Sequence, residues 1–80
     1  MTDDYESAYH AFETADRDWQ AELARVYGRE AGTARYLPLG KGAPGTTLHK
    51  LHQAREAARV AWWREVERER ARKALHAAGA

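Results

Sequence analysis

Apolar residues in the first third of the chain recur at spacings of three and four. Tyr5, Ala8, Tyr9, Phe12, Ala15, Trp19, Leu23 and Val26 fall on one stripe at about 100° per residue, the signature of an amphipathic helix. Asp3, followed three residues later by Glu6, reads as an N-cap with a capping-box partner. Acids crowd the early turns and Arg25 and Arg29 stand near the end, as a helix dipole favours. Gly28 is a natural stop. The pattern predicts a helix over about 4–27.

A second stripe begins after Pro44-Gly45, where Thr46 or Thr47 offers a cap. Leu48, Leu51, Ala54, Ala58, Ala61, Trp62 and Val66 share a narrower face, and no helix breaker separates Thr47 from Gly79. A second long helix over about 47–77 follows. Past Val66 the stripe continues as Glu69 and Lys73, so the segment 67–73 reads as helix that is solvated, or helical only against something else. Between the helices, Leu37-Pro38-Leu39-Gly40-Lys41-Gly42-Ala43-Pro44-Gly45 cannot be regular helix. Arg29 to Tyr36 reads as a frayed extension of the first helix or as a short helix of its own. The connector 28–46 is long for a helix–helix link, and long loops are often functional. The fold class is therefore all-α: an antiparallel helical hairpin in a single domain, 1–80, with a long Gly/Pro-containing connector. Stripes buried on one side only predict pairing into a dimer, and so into a helical bundle.

Antiparallel packing sets Phe12 near Trp62, Trp19 near Arg55, Leu23 near Leu51 and Val26 near Leu48. Asp16 and Arg55 both lie inside apolar stripes. Either Asp16 pairs with Arg55 or Arg59 while Trp19 covers the Arg55 guanidinium, or both side chains reach past the seam to water. Trp62 and Trp63 point about 100° apart on a helix. With Trp62 in the seam, Trp63 is either exposed or covered by Tyr36, Leu37 or Leu39 of a folded-back connector.

Composition sharpens this picture. Seventeen alanines, no Ile and only three Val favour helix over strand. The absence of Cys excludes disulfides and thiolate metal sites. The start Met1-Thr2-Asp3-Asp4-Tyr5 lacks a signal peptide's basic and apolar regions, and no apolar run approaches the roughly 18 residues of a membrane span. A cytoplasmic location without membrane association is expected.

The net charge of +1 hides a division. Residues 1–22 hold seven acids and one base, whereas residues 23–80 hold twelve bases and five acids. Such asymmetry points to self-pairing or to a charged partner.

Motifs for chemistry are weak. Gly40-Lys41-Gly42-Ala43-Pro44-Gly45-Thr46-Thr47 departs from a phosphate loop, because Lys41 is followed by Gly42 and no strand precedes it. His49 and His52, with Glu56 four residues on, share one side of a helix, but a zinc site needs a further rigid ligand. Ser7 has no partnering pattern. No enzyme activity, cofactor or metal is expected.

Asp16-Arg17-Asp18-Trp19, Val26-Tyr27-Gly28-Arg29-Glu30-Ala31-Gly32-Thr33-Ala34-Arg35-Tyr36 and Ala54-Arg55-Glu56-Ala57-Ala58-Arg59-Val60-Ala61-Trp62 together cover about half of the chain. In these segments it resembles small accessory proteins of phages and prophages. That resemblance implies an accessory role on a mobile element by binding host machinery, inhibitors of the anti-CRISPR kind being one form. The expected function is noncatalytic protein binding by occlusion. Tyr36, Leu37 and Trp63 are the candidate apolar anchors, and Lys41, Arg64 and Arg68 the charged rim. An acidic face of Asp4, Glu13, Asp18 and Glu22 is the candidate surface for blocking a basic channel. Two alternatives stand beside this: nucleic-acid binding through the basic second helix, and a structural or assembly role.

Overall fold

The computed structural model describes residues 2–79, with side chains from residue 4 onward. Helix α1 spans Thr2–Tyr27, a 3-10 turn follows at Gly28–Glu30, and α2 is a single turn, Ala31–Ala34. A second 3-10 turn at Pro38–Lys41 leads to α3, Thr47–Gly79. No strand occurs among the described residues. The molecule is an all-α helical hairpin of α1 and α3, 53 × 21 × 20 Å. Helix α1 begins at Thr2, ahead of Asp3, whose side chain lies outside the described residues. Of the two readings of 29–36, a frayed extension of the first helix or a short helix of its own, the structure has the short helix α2, joined to α1 by the 3-10 turn.

Local signals explain the boundaries. Gly28, at φ +55°, ends α1, a conformation glycine adopts at little cost. Thr46 caps α3: its Oγ1 accepts the His49 amide at 3.1 Å and donates to the Ala43 carbonyl at 2.7 Å. Along α3, Arg68 pairs with Glu65 and Arg72 with Glu69, both at 2.6 Å. These i,i+3 pairs support a helix whose last turns are exposed. From Arg70 to Gly79 every residue is exposed, so the tail beyond α1 is helical and solvated.

The two arms meet in the expected register. The Phe12 and Trp62 rings stack with centroids 5.5 Å apart, and Leu51 packs against the cluster holding Leu23. Asp16 Oδ1 accepts the Arg55 Nε–H at 2.6 Å. The Arg55 guanidinium lies 4.8 Å from the Trp19 ring and 5.4 Å from Phe12, and its Nη1 donates to Glu56 at 2.8 Å. Of the two sequence-based readings, the structure adopts the ion pair under a cation–π cover.

The core is small and lies at the connector end. Trp19, Leu23, Ala34 and Leu48 are each no more than 4% exposed, with Tyr27, Ala31 and Leu51 packed around them. The connector closes this end: α2 packs on α1, the 3-10 turn Pro38–Lys41 packs on α3, and Ala34 joins the buried cluster. Two aromatic side chains of α1 hold the rest of the connector. The Trp19 indole N–H donates to the Gly40 carbonyl at 2.9 Å, and the Tyr27 hydroxyl donates to the Leu39 carbonyl at 2.8 Å. Gly40 is buried, and a Cβ there would collide with the Ala34 carbonyl. Gly42, at φ +76°, would set a Cβ 2.6 Å from the His49 amide nitrogen. At the other end of the seam Phe12, Trp62 and Val66 are only half-buried.

Two outcomes follow. Gly40→Ala lowers unfolding free energy by about 1–3 kcal/mol, because rigid backbone has to move. Gly32→Ala, where nothing lies within 4 Å, is neutral or stabilises by up to about 1 kcal/mol; urea titrations monitored by circular dichroism compare the two. Arg55→Met destabilises by about 1–3 kcal/mol, leaving Asp16 half-buried without its cation, and less where water screens it. In a double-mutant cycle, adding Asp16→Asn to Arg55→Met costs less than the sum of the single changes; additive losses would show the pair to be uncoupled.

Candidate functional site

The pinned connector determines which residues the molecule displays. With the Leu39 and Gly40 carbonyls tied to α1, the chain from Tyr36 to Leu39 turns its side chains outward. Tyr36 is 80% exposed, Leu37 43% and Leu39 48%. Leu37 is extended ahead of Pro38, at φ −111° and ψ 157°, the conformation that a following proline imposes. The segment closes through short backbone bonds: Leu37 N–H to the Ala34 carbonyl and Gly40 N–H to the Leu37 carbonyl, both 3.0 Å. The Arg35 guanidinium lies 5.3 Å from the Tyr36 ring. The result is an apolar ridge, Tyr36-Leu37-Pro38-Leu39, on a backbone fixed at both ends, with Arg35 and Lys41 beside it.

Trp19 joins this ridge to α3. One face of its ring carries Arg55, and the His52 ring meets it edge-on at 5.4 Å. Burial lowers the His52 pKa below the usual value, and the charges of Lys41, Arg55 and His49 lower it further against the opposing pull of Glu56. His52 is therefore neutral where it packs.

The other candidate anchor, Trp63, lies elsewhere. It is exposed on α3, with the Arg70 guanidinium 5.5 Å from its ring. Fifteen residues of helix separate it from Leu48 at the connector end, about 22 Å at 1.5 Å per residue. Tyr36, Leu37 and Lys41 thus form one group and Trp63, Arg64 and Arg68 another, and the connector does not cover Trp63. Arg68 is held by Glu65, whereas Arg64 has no carboxylate partner among the described residues. Nor do the four acids share a face. Asp4, Asp18 and Glu22 fall within about 40° of one another on α1, but Glu13 is about 140° from Asp18. Glu22 is also bound by Arg25 at 2.6 Å, a hydrogen bond that lowers its pKa.

No protein-family model matches the chain, and no curated protein or solved structure matches it significantly. The geometry therefore carries the functional argument. Among the described residues no three His, Asp or Glu side chains gather as metal ligands, and no helix is long and apolar enough to cross a membrane. His52 is held against Trp19. Pro38 and Leu39 join the exposed ridge although sequence reasoning left them outside the candidate set. The signal was present: in Tyr36-Leu37-Pro38-Leu39 four apolar residues run together in a segment that cannot be helix.

The His52 shift has a pH consequence. Its folded pKa lies below the unfolded value of about 6.5, so the unfolded chain holds the proton more tightly. The contribution is full above the unfolded value and is lost as pH falls from there through the lower folded value. The denaturant midpoint should drop as pH is lowered below about 6.5, and His52→Gln should flatten that drop. An unchanged slope in the variant would assign the effect to other histidines.

Proposed function

We propose that this protein is a noncatalytic protein-binding module that works through the ridge Tyr36-Leu37-Pro38-Leu39. The observation that carries the reading is the exposure of these residues on a backbone held by Trp19 and Tyr27. Exposed apolar clusters mark interaction sites. A preformed backbone spares the ordering penalty that a free loop meets on binding. Tyr is among the residue types that dominate binding energy at interfaces. Arg35 and Lys41 give the ridge a positive border, which suits a partner with an apolar recess bordered by acids.

The resemblance to phage and prophage accessory proteins makes host machinery the class of partner, and occlusion of a working surface the mode of action. The basic stretch of α3 supports a second reading, nucleic-acid contact. Arg70 and Lys73, like Arg64, have no carboxylate partner among the described residues. Glu65 and Glu69 neutralise Arg68 and Arg72, which weakens that field.

Tagged protein incubated in host lysate, with and without nuclease, separates the two readings. A stoichiometric protein should survive nuclease and be lost with Tyr36→Ala or Leu37→Asp, each weakening affinity about 30-fold or more. Arg64→Ala should leave capture intact. Recovery of nucleic acid, with binding that falls steeply as salt rises and with Arg64→Ala, would overturn the ridge reading.

A further inference from the structure

The end of the hairpin away from the connector is open. Tyr5, Phe12, Trp62 and Val66 are half-buried, and no residue of α3 beyond Leu48 is fully buried. A core of four buried residues is small for an 80-residue chain, and chains of this size commonly stabilise themselves by association.

The two flanks of the seam differ. Ala11, Ala15, Leu51 and Ala54 line a groove on one flank, together with Ser7 and Thr14. Tyr9 is two residues from Ala11, about 200° around α1, and Trp63 is nine residues from Ala54, about 180° around α3. Both therefore lie on the other flank. Because Phe12 faces Trp62, antiparallel register brings Tyr9 and Trp63 within about one helical turn of each other along the axis. Tyr9 is 38% exposed and Trp63 47%, and between them lies Trp62, 5.2 Å from the Tyr9 ring. This flank is an aromatic strip shared by both helices.

Charge says what covers it. Glu13 flanks Tyr9 on the acidic helix, and Arg70 lies over Trp63 on the basic one. Arg59 is five residues from Ala54 and so faces the same way as Trp63, about 140° from the alanine groove. A surface with an aromatic centre, Glu13 on one helix and Arg59 and Arg70 on the other is complementary to itself after a half-turn; within its own chain Arg59 also reaches Glu56 at 3.1 Å and Glu13 pairs with His10 at 3.0 Å.

We propose that a second copy of this chain docks on the Tyr9/Trp63 flank, about a two-fold axis parallel to the hairpin, to give an antiparallel four-helix bundle. That axis preserves height along the helices. It lays each α1 over the partner's α3, Tyr9 against the partner's Trp63 and Glu13 against the partner's Arg59. A contact about 30 Å long and two helices wide covers on the order of 600 Å² per copy, at the lower edge of specific interfaces. Both connector ridges then stand at the same end of the dimer. The assembly is independent of the ridge's partner.

Sedimentation equilibrium of the full chain from about 1 to 200 µM tests this, with total association set by mass action. The expected species at the upper end has twice the 9.1 kDa chain mass. Trp63→Glu, at an exposed position, should raise the dissociation constant about 30-fold or more while helical circular dichroism is unchanged. Glu13→Arg and Arg59→Glu should each weaken the dimer about fivefold or more, and the double swap should restore it to within about threefold. A monomer throughout the range overturns the proposal. So does a dimer that resists Trp63→Glu but is lost with Ala54→Glu on the other flank, or a double swap that is additive.

Discussion

Beside the Tyr27 bond to the Leu39 carbonyl, the hydrogen bond that draws the connector into the core runs from the Trp19 indole N–H to the Gly40 carbonyl. A carbonyl buried without a donor is costly, and Trp19 supplies that donor from within the core. The same ring is covered by Arg55 on its face and met by His52 at its edge. A single side chain thereby joins α1, the connector and α3. The close approach that the bond requires leaves no space for a Cβ at Gly40. The glycine and the tryptophan form a matched pair although 20 intervening residues separate them in the chain.

From that point the hairpin divides into a closed half and an open half. At the connector end α2 and the turn Pro38–Lys41 together supply the third layer that two helices lack, and Trp19, Leu23 and Leu48 are buried with Ala34. At the other end nothing plays that part. Trp62 stacks on Phe12 and touches Tyr9, yet its indole N–H has no hydrogen-bond partner among the described residues. The two tryptophans make the contrast: one has a satisfied N–H in a closed core, the other a half-buried ring in an open seam. Aromatic area that two helices cannot cover is what association between chains covers elsewhere.

The ridge proposed for binding and the flank proposed for assembly occupy separate parts of the molecule. The ridge from Tyr36 to Leu39 stands at the closed end, where the backbone is held. The aromatic flank lies along the open half. A chain that pairs through the flank presents two ridges at one end, and two linked ridges raise avidity for any partner that offers two sites. The charge division serves the same arrangement. Among the described residues one ion pair, Asp16 with Arg55, joins acidic α1 to basic α3, and the same opposition of charge is available between copies.

Apolar spacing determined the helices and their register: the stripe from Tyr5 to Val26, the stripe from Leu48 to Val66, and the facing of Phe12 with Trp62; that Asp16 could meet an arginine was legible, and the fold selected Arg55 over Arg59 or water. These follow from 3.6 residues per turn and from opposite charges placed in facing stripes, both local properties of the chain. Only the tertiary structure decided what the connector does. No periodicity links Trp19 to Gly40 or Tyr27 to Leu39, because both bonds run from a side chain to a backbone carbonyl across a loop, and carbonyls carry no sequence signature. The fold likewise separated residues that the sequence had grouped. Tyr36 stands at the connector end, whereas Trp63 lies about 22 Å along α3 from Leu48, and Glu13 turns away from Asp18. Which residues share a surface depends on where the connector folds back, and steric fit at Gly40 and Ala34 determines that.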